Sequence, residues 1–453
     1  MATSNRPKTR PYSTAPLASV FVLAIVLVVQ PAPFWCTLRT LLAAAPMPRA
    51  ASEAKKGTIQ AFPGVAGQIA ATDPKLPPNP KIPAGSKTAS RPASGIVFRG
   101  RPAEIAQVRL RMREWLAALK CPSQLVSEIE SASHEEVAFT LNTPPGDTDT
   151  LTLRARLPWA MPVETVAFQD RDDVSQTREL ASEAEIVAAM LQRGRAFLFA
   201  GAHCSLEQLK EHVAIRRNIA YWGSRADWIF PDPFVPRFNS SLWDALQVGE
   251  WTLQPGVSAR RAIADAFEGR PAYELGCKSA CQFVMAHGIF DYFATLPRDA
   301  ARLARLEERL DPVHPLREIE AKADKQGVIR RPGRLLDRHF NVAWNHWVPG
   351  DWGWIKNTDD PSSNEACAEG SNIIYAGGGR FVNYYAGGPI RTLDESLKRV
   401  YGWRFGLENG ELDLPDDVMQ RLRGDPRAGG LLRNVRDVPQ HFELGAPSTR
   451  PEA

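Results

Sequence analysis

The sequence lacks a large net charge of either sign, since 55 Lys and Arg against 51 Asp and Glu give +4 in 453 residues. A dedicated nucleic-acid-binding protein carries a far stronger positive surface, so that class is not favoured. Hydrophobic residues make up 44% and charged residues 23%, which is ordinary for a globular chain. This composition excludes global disorder, collagen, a coiled coil and a polytopic membrane protein.

Cysteines are also few. Cys36 lies near the N-terminus, and an odd number remains, so at least one thiol stays unpaired or pairs with another chain even in an oxidising compartment. They are too sparse for a disulfide scaffold, and neither a CxxC nor an HxxxH frame accompanies them. We therefore expect no zinc site. Since the acidic loop near Asp359 and Asp360 lacks the spacing of a calcium loop, we expect no calcium and no other cofactor either. The remaining cysteines are Cys121, Cys204, Cys277, Cys281 and Cys367.

Long hydrophobic runs are missing as well. The most apolar stretch, Leu17–Val29, is shorter than the roughly 20 residues of a membrane-spanning helix. Arg6, Lys8 and Arg10 precede it and small residues at 43–45 follow it, which is the order of a secretory signal. We expect residues 1–45 to be a signal peptide or a membrane anchor. The protein would then be exported to the periplasm, the cell envelope or the medium, and an uncleaved segment would tether it to the membrane.

Composition divides the rest of the chain. Residues 46–95 are rich in Pro, Ala and Ser and cannot bury enough apolar area to offset chain entropy, so they predict a disordered linker. Clustered prolines in Pro231–Asn239 interrupt both helix and sheet. We expect a small α+β module over 96–235, a catalytic domain over 236–420 and a loose tail over 421–453.

Periodicity places individual elements. Alternating residues predict strands over Thr150–Ala155 and Val163–Phe168, and Asn372–Ala376, three glycines and Arg380–Tyr385 predict a hairpin. Apolar residues at three- and four-residue steps predict the helices. These helices are Ala103–Leu119, Glu183–Leu198, Leu206–Tyr221, Ala259–Phe267, Cys277–Phe293 and Asp299–Leu310.

Cys277 stands where a helix begins, after Gly276 and before Lys278. Free backbone N–H groups, the positive end of the helix dipole and a neighbouring cation all favour the thiolate, which is the form that a nucleophile needs. The alternative is that Cys277, Cys281 and Val284 form one buried face of a core helix, since buried free cysteine is common. Both interpretations stay open on these features alone.

Three segments together resemble the bacterial spore-coat transglutaminases, which are protein-glutamine γ-glutamyltransferases. AYELGCKSA at 272–280 is similar to the PFYAFECATA-type segment of that family, GDWGWIKN at 350–357 to its GD-aromatic-FKN stretch, and EGSNII at 369–374 to its GENVI stretch. Order and approximate spacing agree over about 271–385. The resemblance implies an α+β fold with a papain-like, NlpC/P60-like core, in which the nucleophile begins a helix packed on an antiparallel sheet, with an additional N-terminal α+β module.

The same resemblance implies the site. Cys277 falls on the nucleophile of the family, but the two glutamates expected beside it are replaced by Gly276 and Ser371, and the expected histidine falls near Asn383. Glu369 lies two residues from Ser371, on the same face of a strand, so we expect it to be the base.

The reaction implied is acyl transfer from a protein glutamine to a lysine amine through a Cys277 thioester, with release of ammonia. Protein glutamines and lysines would be the partners, and no nucleic acid is expected. Aromatic residues near the site, Trp347, Trp352 and Trp354, are candidates for the walls of an acceptor tunnel that excludes water, and Asn372 for substrate binding. Core packing is the alternative role for each tryptophan.

Two other functions remain open. A papain-like hydrolase, such as a peptidase, amidase or deamidase, would pair Cys277 with a histidine, for which His346 is the better candidate and His339 the other. A non-catalytic exported envelope-binding protein would bury Cys277 in its core. His287 lies too far along the helix of Cys277 to reach its thiol.

Overall fold

The computed structural model describes residues 94–170, 172–231, 236–247, 250–269, 272–295, 300–309, 315–316, 322–323, 329–331, 335–340, 342–365, 368–382, 390–405, 413–424 and 431–434. The predicted signal segment and nearly all of the predicted linker lie outside these residues. So do Cys36, Cys367 and Asn383. No helix within the described part of the chain is both long and apolar enough to cross a membrane.

The fold is mixed α+β. Its helices, in chain order, are α1 Pro102–Ala118, α2 Leu153–Arg156, α3 Glu183–Leu191, α4 Leu206–Ser224, α5 Ala259–Glu268, α6 Cys277–Thr295, α7 Ala300–Arg309, α8 Asp360–Ser363, α9 Leu393–Gly402 and α10 Asp416–Gly424.

Sixteen strands accompany them among the described residues. They are β1 Gly95–Arg99, β2 Val126–Glu130, β3 Glu136–Leu141, β4 Glu164–Gln169, β5 Ser175–Leu180, β6 Ala196–Ala200, β7 Trp243–Gln247, β8 Glu250–Leu253, β9 Lys322–Ala323, β10 Ile329–Arg331, β11 Asp337–Phe340, β12 Trp352–Lys356, β13 Gly370–Gly377, β14 Arg380–Phe381, β15 Arg391–Thr392 and β16 Leu431–Asn434.

Two sheets organise the molecule. The first has the order β2-β3-β1-β6, in which β1 pairs parallel with β6 and antiparallel with β3. The second has the order β11-β16-β12-β13-β14-β15, and its described pairs are antiparallel. The strand pairs β4-β5, β7-β8 and β9-β10 stand apart from both.

Helix α4, which precedes the predicted domain boundary near residue 235, packs along α6, which follows it. A Cβ added to Gly288 of α6 would lie 2.7 Å from the Ile219 side chain of α4, so the two helices approach closely. Ile215 and Ile219 belong to the same core cluster as Val284 and Phe290. Residues on both sides of the predicted boundary near 235 therefore share one apolar core.

The second sheet is covered on both faces. Trp352 and Ile374 belong to the core that α6 contributes to, whereas Ile355 and Ile373 belong to a separate cluster with residues of α9 and α10. The alternation follows from the period of a strand, whose successive side chains point to opposite faces. Strands β12 and β13 are consequently held between two helical layers.

A buried carboxylate fixes the start of β12. Asp351 Oδ2 lies 2.6 Å from Arg195 Nη1, and Oδ1 lies 2.8 Å from Arg216 Nη1. Asp351 and Arg216 have no exposed surface. Gly350 directly precedes Asp351 and takes φ +88°. A Cβ at this position would lie 2.9 Å from the Arg216 carbonyl oxygen, so glycine permits the turn to approach α4. Ion pairing thus ties this sheet to α4 and to the start of β6.

Several elements differ from the sequence predictions. Thr150–Ala155 forms a loop and the start of α2, because Thr150 Oγ1 donates to the Trp347 carbonyl and Asp149 accepts from the Leu151 amide. The helix predicted over 183–198 ends at Leu191, since Gly194 takes φ +108° and residues 196–200 pair with β1. The range expected to be a loose tail contains the end of α10 and β16, which pairs with β11 and β12.

Replacing Asp351 by Asn should lower the free energy of unfolding by about 3–5 kcal/mol, because two guanidinium groups then lose their buried carboxylate. Chemical denaturation of the purified protein measures this. Glu164→Gln is the matched control, since it breaks an exposed pair with Arg217 on the same helix α4 and should cost less than about 1 kcal/mol. Equal losses in the two variants would contradict the role given to Asp351.

The ion pairs of Asp351 also predict that the stability of the protein depends on pH. Burial acts to raise the pKa of Asp351, but Arg195, Arg216 and the Val348 amide lower it by more, so it lies below its ordinary value. The stability that this charge contributes is present above the unfolded pKa of about 3.9 and is lost as the pH falls through the folded pKa. Below about pH 4, the wild type should therefore lose stability in a step that Asp351→Asn lacks.

Candidate active site

Cys277 is the first residue of α6, and its side chain is half-buried. The Ala280 amide donates to the Gly276 carbonyl, which closes the first turn of the helix. Glu274 exchanges backbone hydrogen bonds with Arg237 just before this turn. The approach to the helix is therefore fixed, and the thiol stands at the end of the helix where backbone N–H groups are free.

Asn372 of β13 directs two N–H donors at the thiol. Its backbone N and its side-chain Nδ2 each lie 3.4 Å from Cys277 Sγ. The indole Nε1 of Trp352 donates to Asn372 Oδ1 at 3.0 Å. Because Oδ1 is occupied as an acceptor, the amide presents its NH₂ group to the sulfur. The buried Trp352 thus orients the side chain that contacts Cys277.

The strand pairing shows which edge of β13 the Asn372 amide faces. In an antiparallel ladder, residues two apart direct their backbone groups to the same neighbour. The Ile374 carbonyl accepts from Val382 on the β14 side, so Asn372 faces that side too. The Cys277 sulfur therefore accepts from the Asn372 amide at the edge of β13 that faces away from β12.

A pocket opens beside the thiol, between the second sheet and α9. Strand residues Ile355, Ser371 and Ile373 form one wall and α9 residues the other. Apolar and polar side chains line the pocket in similar numbers, and both walls contribute polar groups. The full set of lining residues is Cys277, Ile355, Ser371, Asn372, Ile373, Phe381, Val382, Arg391, Ser396, Arg399 and Val400.

Of the residues predicted to form the site, Asn372 meets Cys277 directly. Glu369 is exposed immediately before β13, its carbonyl accepts from the Asn357 amide, and it is not among the residues that line the pocket. Ser371 and Gly276 stand where the family resemblance expects acids; Ser371 lines the pocket. Glu274, the nearest acid upstream, pairs with Arg237 at 2.7 Å. The role of Glu369 as base stays a prediction.

The tryptophans serve mainly as packing in the described structure. Trp347 is fully buried and lies across Gly353, where an added Cβ would fall 1.6 Å from its ring. Trp352 is fully buried as well, and Trp354 is half-buried. None of the three is among the residues lining this pocket. Trp352 acts on the site through its hydrogen bond to Asn372, and the acceptor-tunnel role stays a prediction.

The pocket lining does not include His287, His339 or His346. His346 rests against Gly194, where an added Cβ would be 2.6 Å from Nε2, and burial together with Arg195 holds its pKa below the ordinary value. His339 lies in β11, with its backbone paired to Leu432. His287 is buried near Trp222, and burial lowers its pKa to about 4. Within the described residues, no group of three His, Cys, Asp or Glu side chains could hold a metal ion.

Sequence reasoning missed the far wall of the pocket. Arg391 in β15 and Ser396 and Arg399 in α9 come to Cys277 only through the folding of the second sheet. The amphipathic pattern of α9 gives no indication that these polar residues face a site. Asn372 was found because it lies in a motif, although its contact with the sulfur is visible only in the structure.

A family model and a solved structure are similar to this chain. The family model for protein-glutamine gamma-glutamyltransferase matches residues 161–405, more than half of the 453 residues. Among solved structures, a transglutaminase from Geobacillus stearothermophilus without its C-terminal extension is similar at 21% identity and a TM-score of 0.35, over 54% of this chain and 100% of that one. No curated protein matches the chain significantly.

The chain therefore belongs to the protein-glutamine gamma-glutamyltransferase family. This confirms the family and the function predicted from the three motifs. The protein is an acyltransferase, and its family implies protein glutamines and lysines as substrates. The match begins within the range predicted as a separate N-terminal module, and Cys277 and Asn372 both lie inside it.

Removing the Asn372 side chain should slow alkylation of Cys277 by iodoacetamide at pH 7 about three- to tenfold, because the sulfur loses one of the two N–H donors that contact it. Mass spectrometry of the Cys277 peptide gives the rate for Asn372→Ala. Trp352→Phe, which frees Oδ1, should produce a smaller decrease. Asn364→Ala, at an exposed site, is the control. An unchanged rate in Asn372→Ala would show that this contact does not activate the thiol.

Proposed function

We propose that Cys277 is the nucleophile of this transglutaminase, on a papain-like, NlpC/P60-like core. The observation that carries the proposal is the pair of Asn372 N–H groups aimed at the Cys277 sulfur at the start of α6. Both donors and the helix N-terminus thus face the sulfur that would attack the substrate. The antiparallel strands β12 and β13 against α6 supply the packing that such a core requires.

In the first half-reaction the Cys277 thiolate attacks the γ-carboxamide carbon of a protein glutamine. The carbon–sulfur bond forms, and the carbon–nitrogen bond breaks as the nitrogen takes a proton and leaves as ammonia. A γ-glutamyl thioester remains on Cys277. Asn372 Nδ2, which contacts the sulfur in the free protein, is placed to donate to the carbonyl oxygen as negative charge develops there.

In the second half-reaction a lysine amine attacks the thioester, loses a proton and forms an isopeptide bond, which regenerates the thiolate. The result is a protein cross-link. Water would give glutamate instead, so the apolar lining formed by Ile355, Ile373 and Val400 favours transfer by limiting solvent beside the thioester.

Glu369 is proposed as the residue that moves these protons. It lies at the solvent side of the strand that carries Asn372, two residues from Ser371 of the pocket. A carboxylate can pass a proton through one water when it does not reach the reacting group directly.

Export of the protein is also proposed. The support is the basic and then apolar order of residues 1–45. Cross-linking outside the cytoplasm would need no nucleotide or metal from the cell. The substrates would then be envelope or extracellular proteins, and retention of the apolar segment would hold the enzyme at the membrane.

Purified protein should incorporate a small fluorescent primary amine into a glutamine-containing protein, and Cys277→Ala should abolish incorporation with an unchanged melting temperature. Cys121→Ala is the control, because this half-buried thiol, whose pKa burial raises to about 11, lies outside the pocket. Ammonia release without amine incorporation would identify a deamidase, and persistent incorporation by Cys277→Ala would remove Cys277 from the mechanism.

Glu369→Gln should slow amine incorporation by roughly 10² to 10⁴, the scale of a lost general acid or base. Glu365→Gln is the matched control, since Glu365 is also exposed in the segment before β13. A loss confined to Glu369→Gln supports its role in proton transfer. Similar rates in the two variants would assign this step to another group.

A further inference from the structure

The pocket beside Cys277 has an unusual charge balance for a site that is expected to contain acids. Arg391 and Arg399 line it, and none of the other described lining residues is Asp, Glu, Lys or His. Both arginines are half-buried. Two cationic side chains in a partly dehydrated pocket attract an anion more strongly than they would in bulk water.

Both arginines are placed by regular structure. Arg391 lies in β15 and pairs with Phe381 of β14, which lines the same pocket. Arg399 follows Ser396 by three residues on α9, so the two lie on one helix face. Helix α9 begins with a capping box in which Thr392 and Glu395 bond reciprocally. The cations are therefore positioned by a strand pair and a capped helix.

We propose that this pocket binds a carboxylate of the acyl donor through Arg391 and Arg399. The proposal rests on the proposed role of Cys277, since the carboxylate would be bound next to the glutamine under attack. Both arginines make further interactions in the protein. A guanidinium carries five N–H donors in a planar fork, so each can serve a substrate carboxylate in addition.

Two kinds of donor supply such a group. One is an Asp or Glu side chain next to the reactive glutamine, and the other is the C-terminal carboxylate of a chain that ends in glutamine. In both cases the arginines select the donor by its charge, and lysine, as a cationic acceptor, is disfavoured in this pocket. The pocket is thus assigned to the donor and not to the acceptor amine.

Alkylation of Cys277 tests the charge of the pocket without requiring transferase activity. Iodoacetate and iodoacetamide are nearly equal in size and both react with the thiolate, so the ratio of their rates at one pH reports local charge. For Cys277 this ratio should exceed that of N-acetylcysteine amide, an uncharged reference thiol, by about five- to tenfold. Arg399→Gln and Arg391→Gln should each lower it, and Arg399→Lys, which keeps the charge, should retain most of it.

Lys398→Gln is the matched control, because it removes the same charge from the neighbouring position of α9, outside the pocket lining. Its rate ratio should equal that of the wild type. A wild-type ratio equal to that of N-acetylcysteine amide would overturn the proposal. So would a ratio that falls equally in Lys398→Gln and Arg399→Gln.

Donor peptides identify the source of the carboxylate. Amine incorporation is compared for glutamine beside Glu, glutamine beside a second Gln, and C-terminal glutamine as free acid or amide. A higher kcat/KM for one acidic form, lost in Arg399→Gln, identifies that source, and equal values for all forms overturn the subsite. Anion-selective alkylation without any amine incorporation would keep the subsite and refute the proposed function.

Discussion

The ion pairs of Asp351 with Arg195 and Arg216 hold the site together, although none of the three side chains lines it. They join the start of β12 to α4, and α4 packs on α6, whose first residue is Cys277. Trp352 follows Asp351 directly and donates to Asn372. A buried charge that is costly to leave unpaired therefore sets the position of the amide that contacts the thiol.

The site lies at the edge of β13 that faces away from β12. Strand β13 pairs along β12, and on its other edge Tyr375 and Gly377 pair with β14. A strand edge presents backbone donors. At Asn372 such a donor meets the sulfur at the N-terminus of α6, and the pocket lies beside it, between the sheet and α9. This part of β13 thus supplies both the donor to the sulfur and one wall of the pocket.

Local sequence patterns predicted those helices and strands that are determined by residues close together in the chain. The helix that begins at Cys277 and the Gly-rich hairpin follow from periodicity and glycine, and the nearby motifs indicated the family. Contacts between distant segments were beyond such patterns: Arg195 meets Asp351 across 156 positions, and Arg399 reaches the pocket only because α9 packs on the sheet. Short elements such as α2 were also missed, because side-chain bonds from Thr150 and Asp149 overrode their strand-like alternation.

The replacement of two expected acids by Gly276 and Ser371 separates two tasks in the reaction. Contact with the sulfur is made by Asn372 at the N-terminus of α6, and the two arginines lie in the pocket beside it. Moving protons is the task proposed for Glu369, a solvent-side carboxylate that would act through water. Donors that favour a thiolate also reduce its intrinsic nucleophilicity. Binding energy from a charged donor would then offset that loss by holding the carboxamide against the sulfur.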